Sequence, residues 1–159
     1  MRDKIVWIDI ETDRLDPAQA NPIQIACIAT DRETLEEIDR IEIKVHIDSR
    51  YASKGILDRN HYDFAIWEKE ALYPTDALKL LTGFFKKHTT WQRVSNSGNI
   101  HTPCEIGGHN IAIYDANVLY NWYRRLDEYC PAATWVTGPV DTMQWARAVE
   151  FARNERWES

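Results

Sequence analysis

No run of apolar residues in this chain approaches the roughly 18 that a membrane span requires, so no membrane segment is expected. The first residues lead directly into charge and an apolar strand, and no signal peptide is expected either. Cysteine is scarce. Cys27, Cys104 and Cys130 are odd in number and far apart, which excludes a disulfide framework and points to a reducing, cytoplasmic setting. Positive charge is in deficit, with 19 Lys and Arg against 25 Asp and Glu and a net charge of -6. That excludes a protein that grips nucleic acid through a broad basic face. It leaves room for an enzyme that meets phosphate at metal ions, where the ions supply the positive charge. Internal repeats, linkers and low-complexity segments are also missing.

What is present is 159 residues, enough for one domain with a real core but not for two. Hydrophobic residues make up 44% and charged residues 28%, as in ordinary soluble globular proteins. Seven tryptophans are many for this length, and some are expected at the surface. Ile5 to Ile10 and Ile23 to Thr30 read as apolar strands, and Ile38 to Ile47 alternates as a third. Short connections make an antiparallel meander of the three. Asp48 to Tyr73 reads as irregular or partly helical. Pro74 opens a helix that Lys86, Lys87 and His88 close favourably for its dipole. Thr89 to Pro103 is a polar loop, Cys104 to Gly108 a short strand, and Asp115 to Tyr129 a helix ended by Pro131. Trp135 to Thr137 leads to a last short strand near Val140, and a helix follows over Met143 to Arg156. Strands interleaved with helices in this order predict an α/β layered fold with a mixed sheet.

The stretch Lys4-Ile5-Val6-Trp7-Ile8-Asp9-Ile10-Glu11-Thr12 is the most informative. Strand side chains alternate, so Asp9 and Glu11 share one face while Ile8 and Ile10 enter the core. Two adjacent carboxylates repel each other unless a cation sits between them. A hard divalent ion such as Mg2+ takes such ligands together with substrate phosphates. A second motif, Gly107-Gly108-His109-Asn110-x4-Asp115, ends a strand at glycines that let the backbone turn and approach a ligand. Taken alone, Asp115 reads equally well as a helix cap. Asp141, before Thr142 and the last helix, reads as a cap rather than a ligand. Trp67, Trp91, Tyr62 and Tyr114 are candidates for stacking on bases, with simple packing at least as good a reading for each.

Asp9-Ile10-Glu11-Thr12 followed by Gly108-His109-Asn110-x4-Asp115 resembles the first two motifs of the DEDD (DnaQ-like) 3'-5' exonucleases, and the likeness spans nearly the whole chain. The resemblance implies a ribonuclease H-like fold: a central mixed sheet of about five strands, a three-strand meander then two parallel strands, flanked by helices. It implies one exonuclease-like domain over residues 1–159. It implies hydrolysis of phosphodiester bonds at the 3' end of single-stranded DNA or RNA, with two Mg2+ or Mn2+ ions. Asp9 and Glu11 would be metal ligands, Asp9 bridging both ions, and Asp115 the third acid. Thr12 and the loop to Leu15 would touch the terminal nucleotide, and His109 and Asn110 would shape the second-motif turn, Asn110 with a substrate or structural hydrogen bond. The family also has a fourth acid on a C-terminal helix, in H-x4-D or Y-x3-D. After Asp141 the acids are Glu150, Glu155 and Glu158, none in either pattern, and no histidine follows His109. The motif-bearing helix is therefore expected to be missing, with activity impaired by the loss of a ligand and a general base. The alternatives are a non-catalytic nucleic-acid-binding or accessory module of the same fold and a ribonuclease H-like endonuclease. A zinc site from His101, Cys104 and Cys130 is disfavoured by its spacing. The oligomeric state is left open.

Overall fold

The structure, a computed structural model, describes residues 3–48, 50–89, 92–94, 96–132 and 138–155, with backbone alone at 93 and 151–155. Strands β1 (Lys4–Thr12), β2 (Pro22–Asp31) and β3 (Glu37–Lys44) form an antiparallel meander. Three helices follow: α1 (Lys54–Arg59), α2 (Phe64–Glu70) and α3 (Pro74–Lys87). A small hairpin of β4 (Arg93–Val94) and β5 (Ile100–His101) leads to β6 (Ile106–Gly108), which runs parallel to β1. Helix α4 (Asp115–Arg125), strand β7 (Val140–Asp141), parallel to β6, and helix α5 (Thr142–Glu155) complete the described chain. The main sheet has the order β3-β2-β1-β6-β7, so β1 is its central strand. This is the mixed five-stranded sheet that the sequence implies.

The centre of the sheet explains the composition of β1. Val6, Ile8 and Ile10 join Ile25 and Ile43 of the neighbouring strands in one buried cluster. Leu78, Leu81 and Phe85 of α3 and Val118, Leu119 and Trp122 of α4 close over it. Each such side chain contributes roughly 1.5–3 kcal/mol when fully buried. Leu78, Leu81 and Phe85 recur three and four residues apart, so they form one stripe on α3.

Several boundaries differ from the sequence reading. Strand β3 ends at Lys44, and Val45 beyond it still bonds the Ile23 carbonyl of β2 at 2.8 Å while forming a parallel bridge with Leu72 on its other side. Helix α4 ends at Arg125, well before Pro131. Asp127 takes a left-handed φ of 56°, and the Glu128 N–H returns to the Tyr123 carbonyl at 3.0 Å. That left-handed turn stops the helix; the proline does not. The polar loop of 89–103 contains the β4–β5 hairpin, whose two-residue strands are too short to show a period. The Trp135 to Thr137 lead-in lies outside the described residues, as does Trp91.

Candidate active site

Asp9 is exposed and Glu11 half-buried at the carboxyl end of β1, facing a cleft of about 300 Å³. Their partners across β2 are Ala26 and Gln24, neither of them a cation. On the other flank β6 ends at Gly108, leaving the last residues of β1 open to the segment that enters α4. Among the described residues neither acid has an ion-pair partner. Burial raises the Glu11 carboxyl above its ordinary value, the Asp9 charge adds to this, and His61 opposes it.

Asp115 joins them from the first turn of α4. It is 8% exposed, and its Oδ1 accepts the Ile10 N–H at 3.1 Å, between the two β1 acids. Burial pushes its carboxyl up to about 6, against backbone N–H groups that favour the charge, and Asp9 and Glu11 add to the rise. Tyr114, not Asp115, occupies the cap position of α4. Here Asp115 ties the helix to the strand.

The turn before Asp115 is built differently from the sequence reading. Gly107 and Gly108 are not where the chain reverses. Their requirement is close approach, since a Cβ on Gly108 would stand 2.7 Å from the Ile8 carbonyl oxygen and one on Gly107 2.8 Å from the Trp7 ring. The left-handed residue is Asn110, with φ 56°. Asp141 fixes it. Its carboxylate accepts N–H groups of Asn110 (3.1 Å), Ala112 (3.2 Å), Met143 (3.0 Å) and Gln144 (3.4 Å). Burial opposes its charge, yet together these donors hold the carboxyl below its usual range. Asp141 is therefore the cap of α5, as expected, and also the brace of the 110–112 turn.

The remaining candidates surround this centre. Thr12 is buried, its hydroxyl 2.8 Å from the Arg14 carbonyl and 2.6 Å from the Tyr114 hydroxyl. Leu15 is 69% exposed, on a loop that Asp13 pins through the Asn21 backbone N–H (2.8 Å) and side-chain amide (2.9 Å). His109 is exposed, with Nδ1 3.3 Å from the Thr142 hydroxyl. Three stacking candidates are otherwise engaged. Trp67 is buried, donating its indole N–H to the Ile23 carbonyl at 2.9 Å, and Tyr62 packs on it with ring centroids 4.7 Å apart. The Tyr114 hydroxyl donates to the Arg14 carbonyl at 2.8 Å.

The wall opposite the acids went unnoticed in the sequence. Arg59, Asn60 and His61, at the end of α1, line the same cleft as Asp9 and Glu11. Asn60 donates its amide to the Thr12 carbonyl at 3.0 Å, fixing this turn to the end of β1. His61 has a left-handed φ of 52°, and around it Tyr62 N–H bonds the Leu57 carbonyl (2.9 Å) and His61 N–H the Asp58 carbonyl (3.3 Å). This is a Schellman cap, whose left-handed position is usually glycine. A side chain there costs about 1 kcal/mol. A sequence reading finds such caps by their glycine, and here there is none.

The donor chemistry fits a hard divalent ion. Asp9, Glu11 and Asp115 offer only oxygens, and a cation relieves both the burial that chiefly raises Glu11 and Asp115 and the smaller mutual repulsion that adds to it. Among the described residues no three His, Cys, Asp or Glu side chains are already gathered into a closed set. Glu150 is exposed on α5, and the side chains of Glu155 and Glu158 lie outside the described residues.

Residues 6–54, from β1 to the start of α1, match the exonuclease family RNase_T. No curated protein matches the sequence. Solved structures that are similar include SSB/exonuclease I in complex with an inhibitor, at 20% identity and a TM-score of 0.70, covering 93% of this chain and 30% of that one. E. coli exonuclease I with a dT13 oligonucleotide is similar at 20% identity and a TM-score of 0.70, covering 92% and 29%. A product-bound exonuclease I gives the same identity and score, with 93% and 32% covered. The chain thus spans about 30% of the length of the structures it matches. Over 93% of its own length it has the ribonuclease H-like fold of exonuclease I, and its first strands carry the sequence pattern of an exonuclease family.

Proposed function

We propose that this chain is a divalent-metal-dependent 3'-5' exonuclease domain acting on single-stranded nucleic acid. The observation that carries the reading is the Asp115 carboxylate on the Ile10 N–H, which brings the third acid of the second motif between Asp9 and Glu11. Bound Mg2+ or Mn2+ would supply an activated water and charge stabilisation for the leaving 3' oxygen. Asp9, Glu11 and Asp115 would hold the ions. Thr12, locked by Tyr114, presents the end of β1 in a fixed shape to the terminal nucleotide. Leu15, exposed on its braced loop, offers an apolar contact to the terminal base, and His109 and Asn110 form the far rim. E. coli exonuclease I binds a dT13 oligonucleotide in its own structure, which supports a single-stranded substrate here.

The second reading, a non-catalytic binding module, is favoured by the absence, among the described residues, of a gathered set of three metal-ligating side chains. One experiment separates them. A 5'-labelled single-stranded oligonucleotide incubated with Mn2+ is expected to yield a ladder shortened from its 3' end, and Asp9→Ala is expected to abolish it. An oligonucleotide that is bound but intact after prolonged incubation gives the binding module instead. Cutting of a circular single strand gives the endonuclease.

A further inference from the structure

We propose that Arg59 and His61 form a phosphate grip, holding the sugar-phosphate backbone of the strand whose 3' end lies on Asp9 and Glu11. The inference rests on the exonuclease reading and names how that site takes hold of its polyanionic substrate.

The cleft has walls of opposite character. Asp9 and Glu11 stand on β1, and Arg59 and His61 face the same space from the α1–α2 turn. The chain as a whole is acidic, at -6, so a nucleic acid approaching the β1 acids is repelled unless cations meet it locally. Arg59 is exposed and has no ion-pair partner among the described residues, so its guanidinium is available. The turn is not a loose loop. The bond from Asn60 to the Thr12 carbonyl holds it at a set position relative to the acids.

The identity of residue 61 carries the argument further. A basic group at the end of α1 suits the helix dipole, which accounts for Arg59. The dipole gives no reason for histidine at the left-handed position of a Schellman cap, where glycine serves the backbone better. The imidazole sits there at the expense of the fold, and it lines the same cleft as Glu11. Strained positions of this kind concentrate at functional sites.

The test uses His61→Gly and Arg59→Gln in the full chain. Binding of a 5'-fluorescein dT12 strand is measured by anisotropy in Ca2+ across a salt series, alongside melting temperature and Mn2+-dependent shortening. His61→Gly is expected to melt at or above wild type. Each variant is expected to bind about 5-fold more weakly, and Arg59→Gln, which removes a full positive charge, to have a salt slope shallower by about 0.7. KM should rise more than kcat falls. Variants matching wild type in affinity and salt slope, beside a wild type that binds and shortens the strand, overturn the grip alone. A wild type that neither binds nor shortens it overturns the exonuclease reading and the grip with it.

Discussion

Asp115 has the most to lose by being ionised. Its carboxyl is pushed up to about 6 by burial, where an unfolded chain would release the proton near the ordinary value of 3.8. Below that value both states hold the proton and the site is neutral in stability. Between about 4 and 6 the unfolded state ionises first, so stability falls as pH rises, and above 6 the full cost, on the order of 3 kcal/mol, remains. Asp115→Asn keeps an oxygen for the Ile10 N–H and removes the charge. In chelator at pH 7.5 its melting temperature should exceed wild type, with the gap closing near pH 4; a variant that melts lower at pH 7.5 contradicts this. The same substitution should abolish strand shortening. Greater stability with lost function separates a functional acid from a structural one. The sequence left Asp115 divided between ligand and cap, because both put an acid at a helix start; in the fold Tyr114 holds the cap position and the Asp115 carboxylate goes to Ile10 instead.

At the scale of elements, the site depends on how closely β6 lies against β1. Gly108→Ala places a methyl 2.7 Å from the Ile8 carbonyl oxygen, a backbone atom that cannot step aside. A loss of about 1–3 kcal/mol in urea unfolding is expected. Activity should fall as well, since β6 feeds the turn into Asp115; unchanged stability would show that the strands separate freely. Asp141 works at the same joint. With four backbone donors on one carboxylate, Asp141→Ala should cost more than the ~1 kcal/mol of an ordinary cap. Hydrogen exchange should quicken at Asn110 and Ala112 as well as at the start of α5, whereas a simple cap would affect α5 alone. The three sheet strands and the long α3 were legible in the sequence because each is long enough to show its period. The β4–β5 hairpin and the end of α4 were not. One is two residues per strand, and the other is set by a left-handed Asp127 without glycine to mark it.

Across the whole molecule, an acidic chain with an acidic cleft should depend on divalent ions for its stability as well as for its chemistry. An ion that binds only the folded state at 100 times its Kd stabilises by about 2.7 kcal/mol. Titration with Mn2+ should therefore raise the melting temperature of wild type but not of Asp9→Ala; equal shifts in both would place the ion elsewhere. The amino-acid sequence by itself determined the class of fold, the strand that carries Asp9 and Glu11, and the two motifs that the exonuclease resemblance rests on. These follow from local alternation and spacing, which survive in any fold that buries β1. The tertiary structure alone decided that Asp115 sits between the two acids, that Gly107 and Gly108 serve packing rather than a turn, and that Trp67 is a buried wall. It alone brought Arg59 and His61 across from Asp9 and Glu11. Those residues are separated by some fifty positions along the chain. No periodicity connects them; a hydrogen bond from Asn60 to the end of β1 does.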